Sequence, residues 1–125
     1  MTLWLLAALL TKHFVADFPL QGPRHYLNKG HYGRWGGIEH ALIHAVLTAF
    51  ILLWFAPLWL TLVLALAEAV VHYHADWARM RLNAATGWTP DNGGKYWWLL
   101  GFDQWLHNAT YVAIALAVRS VISSQ

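Results

Sequence analysis

The sequence predicts an all-α fold: a four-helix transmembrane bundle, up-down-up-down, with a layer of histidine and carboxylate side chains near its cytoplasmic side. Three observations point there. The 125 residues are 58% hydrophobic and only 11% charged, whereas soluble domains carry about a quarter charged residues. The 47–66 stretch holds no charge and only two polar residues, Thr48 and Thr61. A chain of this length is one domain, 1–125, too small to hide that much apolar surface from water, so a bilayer is the economical solvent. The third observation is that ionisable residues inside the apolar stretches recur four apart, which returns them to one helical face.

The first span is expected over about 2–18. It has no basic leading region, and Lys12, His13 and Asp17 replace the small residues a cleavage site needs, so no removable leader is expected. "PLQGPRHYLNKGHYGRWGG" follows, rich in Gly and Pro, and reads as a surface loop carrying Arg24, Lys29 and Arg34. His25 and His31 read as surface residues within it. The second and third spans, about 38–56 and 58–78, form one apolar block. It is broken by "FAPLW", where Pro57 removes a helical donor. The next loop, "ARMRLNAATGWTPDNGGKYWW", carries Arg79, Arg81 and Lys95, and its "PDNGG" is a turn signal. The fourth span is expected over about 97–120.

The charges orient these spans. The first and third loops are basic and the second is uncharged, which places the basic loops in the cytoplasm and both termini outside. Trp4, Trp54 and Trp59 then mark the outer interface, and Trp35, Trp77, Trp97 and Trp98 the inner one. A multi-pass protein of a bacterial inner membrane is expected. The net charge of +2 is too small, and too confined to loops, for a nucleic-acid partner. With no cysteine, disulfides and thiolate ligands are excluded, so any metal must be held by His and carboxylate.

The spans contain His13 and Asp17, then His40 and His44, then Glu68, His72 and Asp76, then Asp103 and His107. Eight His and six Asp or Glu in 125 residues should give about 1.5 pairs at i, i+4 by random placement; the sequence has five. Chain direction alternates in the predicted topology. The pairs end the odd helices and begin the even ones, so four pairs fall at one depth, roughly 3 to 15 Å from the inner interface. Glu68 lies one turn deeper. A charge at the bilayer centre costs about 2.5–3.5 kcal/mol, so these groups must face one another. One buried His–Asp pair is ordinary helix glue. Four at one level point to metal or proton chemistry, because bundles build metal sites from inward His and carboxylates at this spacing. His74 and Glu39 fall off the shared face.

Four stretches carry a resemblance. "KHFVADFPLQ", "EHALIHA", "EAVVHYHADW" and "LGFDQWLHNATY", in that order, resemble a family of small bacterial and phage membrane proteins known as a domain of unknown function. More distantly they are similar to inner-membrane proteins described as metal-dependent hydrolases. The resemblance covers nearly the whole chain and implies a multi-pass protein. By motif it implicates His13, Asp17, Gln21, His40, His44, His72, Asp76, Asp103, Gln104 and His107. His74 stands where an apolar residue is expected.

The leading expectation is an integral-membrane, metal-dependent hydrolase acting on a lipid or other anionic interfacial substrate at the cytoplasmic leaflet. One or two divalent ions (Zn, Mn or Fe) would be held by His13, Asp17, His40, His44, His72, Asp76, Asp103 and His107. Asp76, Asp103 or Glu68 would act as general base. Gln21, Arg24, Lys29, Arg34, Lys95 and Gln104 would line the mouth and take an anionic headgroup or phosphate. Lys12 and Arg79 read as snorkelling anchors. The alternatives are a di-iron-type membrane oxidase or oxygenase, and a non-enzymatic phage or bacterial membrane interaction protein with a structural metal site. A conduit is disfavoured, because the outer half offers only threonines.

Overall fold

The computed structural model describes residues 1–124, and these are all-helical: α1 (Thr2–Asp17), α2 (Pro23–Tyr26), α3 (Trp35–Leu52), α4 (Leu58–Thr86) and α5 (Gly94–Ser123). Three helices, α3, α4 and α5, are long and apolar enough to cross a membrane. At 16 residues, α1 is shorter than the roughly 20 that span hydrocarbon untilted. The exterior is what a membrane protein needs: Leu3, Trp4, Phe14, Phe50, Trp54, Leu66, Trp98 and Leu116 are all exposed.

Local chemistry sets the helix ends. α3 stops at Leu52, 53–55 turn, and Ala56, the residue Pro57 keeps out of the helical region, completes the break before α4. Pro57 then caps α4, its φ of −64° suiting a helix start. The expected end of α4 at 78 is two turns short. Hydropathy falls there, but "ARMRLNAAT" is made mostly of helix formers and holds no breaker until Gly87, which adopts the left-handed conformation (φ 67°) that ends helices. The short α2 has no hydrophobic period and escaped the sequence reading. Pro23 opens it, and the Gly22 N–H donates to His25 Nδ1 at 3.1 Å.

Each long helix packs against two others: α1 on α3 and α5, and α4 on the same two. The enclosed core changes character along its length. On α1 the inward series runs Leu5, Leu9, His13, Asp17; on α3 it runs His40, His44, Thr48, Leu52; on α5, Asp103, His107, Tyr111, Ala115. The four-residue step keeps each series on one face. Leu5, Leu9, Leu52, Leu60, Ile114 and Val118 fill one end, and the ionisable groups fill the other.

The first loop is a surface loop only in part, with residues 31–35 exposed but Lys29 and His25 turned inward. It folds over the polar end, carried by α2 packing on α3. Lys29 is only 4% exposed and His25 only 8%, which corrects the surface reading of His25. The close crossing requires Gly36, where a Cβ would lie 2.2 Å from the Arg24 carbonyl oxygen. At Gly33 the chain takes φ +77°, and its N–H donates to the Tyr73 hydroxyl at 2.7 Å.

Candidate metal centre

Two carboxylates organise the polar end: Asp17, the last residue of α1, and Asp76 of α4. Five imidazoles from four helices turn Nε2 toward them. His40 and His44 donate to Asp17 Oδ1 at 3.0 and 3.1 Å, and His13 Nε2 lies 3.4 Å from Asp17 Oδ2. His72 Nε2 is 3.3 Å from Asp76 Oδ2 and 3.8 Å from Asp17 Oδ1, and His107 Nε2 is 3.6 Å from Asp76 Oδ1. The rings pack tightly, with centroids 3.7 Å apart for His44 and His72 and 4.1 Å for His72 and His107. All seven side chains are buried.

Two groups of donor atoms are compact enough to hold an ion: Asp17, His40, His44 and His72, and separately His72, Asp76 and His107. They differ in how well they are already satisfied. In the first, His40 and His44 both spend their Nε2 protons on Asp17. Lys12 Nζ donates to His44 Nδ1 at 3.2 Å; an ammonium only donates, which fixes the His44 proton on Nε2. In the second group, His72 Nε2 and His107 Nε2 are buried without a hydrogen bond among the described residues, and so is Asp103 Oδ1, 3.5 Å from His107 Nε2. Such orphans are expensive in a core. Two of them beside Asp76, with the third next to His107, mark a place where a cation would satisfy several lone pairs at once. His72 Nε2 has one lone pair, so it serves one group or the other.

Cations from outside the expected ligand set complete the layer. Lys29 Nζ lies 2.7 Å from Asp76 Oδ2 and 4.0 Å from Asp17 Oδ1. It therefore neutralises the centre from inside, where the sequence had placed it at the mouth. Lys12 is not a snorkelling anchor: it is 6% exposed and paired with Glu68. Nor is Arg79, whose Nε lies 3.2 Å from Asp103 Oδ2. Glu68, expected as a candidate base, is held by Lys12 and by the Tyr111 hydroxyl, which donates to it at 3.0 Å. That leaves Glu68 supporting His44 from one turn below.

The remaining expected residues divide. Gln104 reaches the centre, its Nε2 within 3.3 Å of Asp103 Oδ2 and its Oε1 3.2 Å from His13 Nε2. Gln21 is half-buried and bonded to the Asp17 backbone carbonyl. Arg24 pairs with Glu39, so it faces away from the carboxylate pair. Arg34 and Lys95 are exposed, with Lys95 over the Trp88 ring. His74 is exposed and bonded to Tyr32 and the Val70 carbonyl, apart from the centre as its spacing implied. Sequence reasoning missed Tyr111, whose hydroxyl lies 3.1 Å from His13 Nδ1. The signal was present, since Tyr111 continues the 103, 107 step on α5. Nothing local announces the inward turn of Lys12 and Lys29.

Over residues 5–125 the chain matches the family described as a protein of unknown function, DUF3307, and it belongs to that family. The match spans all four of the stretches that carry the resemblance. No curated protein and no solved structure matches the chain.

Proposed function

We propose that the protein is a metal-dependent hydrolase of a bacterial inner membrane, with four spans, both termini outside, and its centre opening to the cytoplasmic leaflet. One observation carries the reading: the unpartnered His72 Nε2 and His107 Nε2 beside Asp76, with the unpartnered Asp103 Oδ1 3.5 Å from His107 Nε2. His72, Asp76 and His107 would hold the ion, and three protein ligands leave a position open for water, as catalytic sites require. A divalent ion held there would supply a water activated for attack at neutral pH.

The chain's own groups have separate tasks. Asp103 Oδ1 is the free carboxylate oxygen that would take the proton, while Arg79 fixes its Oδ2. Asp17 aligns His40 and His44 behind the centre, the kind of support that orients ligating groups. Charge balance agrees. With neutral imidazoles, the four carboxylates Asp17, Glu68, Asp76 and Asp103 face three cations, Lys12, Lys29 and Arg79. One net negative charge remains, which favours a bound cation over a further anion. The substrate class is a lipid or another anionic ester at the interface.

The second donor group, Asp17, His40, His44 and His72, favours one further reading, a di-iron-type oxidase in which Asp17, His40 and His44 would hold a second ion while His72 serves the first. The two separate in one experiment. Protein purified in detergent, stripped by chelator and reloaded with Zn, Mn or Fe is offered phospholipid in mixed micelles. Hydrolysis that returns with metal, and is lost in Asp103→Asn while metal is retained, is expected. Oxidised lipid formed only by the iron-loaded protein would favour the oxidase. Metal bound with neither product would leave a structural site and sink the hydrolase.

A further inference from the structure

On the outer side of the Lys29–Asp76 ion pair lies a second site. The residues after those two, Gly30 and Trp77, line a cavity of about 360 Å³ together with His31, Tyr32, Arg34 and Arg81. Its polar lining is cationic, with no carboxylate among the six. Arg24 pairs with Glu39 and Arg79 with Asp103, whereas Arg119 stands alone among the described residues, exposed on α5. Among the described residues, Arg34 and Arg81 have no carboxylate within ion-pair distance, so two guanidinium groups stand available at one cavity.

The cavity is held in shape. Tyr32 lies against three aromatic rings of α4, with centroids 5.5 Å from Tyr73, 5.9 Å from His74 and 5.3 Å from Trp77. Its hydroxyl bonds His74 Nε2 at 3.2 Å. The next residue, Gly33, donates its N–H to Tyr73. The loop tip that carries His31 and Arg34 is thus clamped to the helix that carries Arg81. Guanidinium forks suit phosphate oxygens, in which they differ from ammonium groups. Aromatic residues at this level are typical of the membrane–water interface.

We infer that His31, Arg34 and Arg81, set against Tyr32 and Trp77, form a binding site for the phosphate group of an anionic lipid headgroup. The site rests on the proposed hydrolase only for calling that lipid a substrate; its binding is independent of the metal.

The test uses the full chain in detergent micelles containing trace phosphatidylglycerol or phosphatidylcholine, with retained lipid counted by mass spectrometry after purification. Preferential retention of phosphatidylglycerol is expected, falling about fivefold in Arg34→Gln or Arg81→Gln and further in the double variant. Arg119→Gln, an exposed change on α5 away from the cavity, should change nothing. The double Lys variant, which keeps both charges, should retain more lipid than the double Gln variant and so separates lost binding from lost folding. If inorganic phosphate displaces the lipid and binds in its place, the site takes phosphate from a soluble source as well. Equal retention of the two lipids, or equal retention by native protein and double Gln variant, would overturn the site. Metal content measured on the same samples should be unchanged. Lipid preference without metal would contradict the hydrolase alone, and metal without lipid preference would contradict this site alone.

Discussion

The two ends of one core are built on the same helices by different physics. Leu5, Leu9, Leu52, Ile114 and Val118 at one end fit together by shape alone. Asp17, His40, His44, His72, Asp76 and His107 at the other are held by charge and hydrogen bonds. In lipid the apolar end gains little from association, because the tails are as apolar as leucine. The polar end cannot face lipid at all. The burial that endangers an unpaired group there also strengthens every pair that forms. The polar end therefore specifies how the helices meet, and it holds the orphaned imidazole nitrogens of His72 and His107.

The contrast can be broken most sharply at its cations. Lys12→Met would strand Glu68 in the core, and a broken buried pair costs about 3–5 kcal/mol. Thermal unfolding in detergent, followed by circular dichroism, should show a large loss. Adding Glu68→Gln should recover much of it; no recovery would mean that the pair is not the source. A smaller effect is expected at the apolar end. Leu9→Ala removes packing but little transfer energy in a lipid solvent, so about 1–2 kcal/mol is expected, below the 2–5 typical of soluble cores. A loss equal to that of Lys12→Met would erase the distinction between the two ends.

The smallest global effect should come from the loop that closes the polar end. Gly36→Ala puts a methyl against the Arg24 carbonyl and should lift the loop with little change in overall stability. Trypsin reads this directly. Lys29 is buried and should resist cleavage in the native protein, while the variant should be cut there about tenfold faster, as expected when opening is about 1.4 kcal/mol easier. Unchanged cleavage would mean that the loop closes without needing this contact.

Much of this organisation was legible in the sequence because it is periodic. His13 and Asp17, His40 and His44, His72 and Asp76, Asp103 and His107 repeat at four residues, and all eight are buried in the polar end. The off-face positions of His74 and Glu39 follow from the same geometry. Lys12 and Lys29 were not legible, because their partners lie 56 and 47 residues away and a lysine at a membrane edge has an adequate local explanation. The extra length of α4 was hidden for another reason: hydropathy reports the solvent, whereas helicity beyond Trp77 is set by backbone preference up to Gly87. The first loop misled because Gly and Pro mark a change of direction without saying what the chain then covers.

The most direct measurement is the metal content of the protein purified from its membrane, compared with His72→Ala and His31→Ala under one protocol. His72 belongs to both donor groups, whereas His31 is exposed and belongs to neither. The expected result is about one equivalent of Zn, Mn or Fe per chain. It should persist in His31→Ala and be lost in a His72→Ala protein that still elutes as the native does. Native protein with no more metal than His72→Ala would contradict the centre.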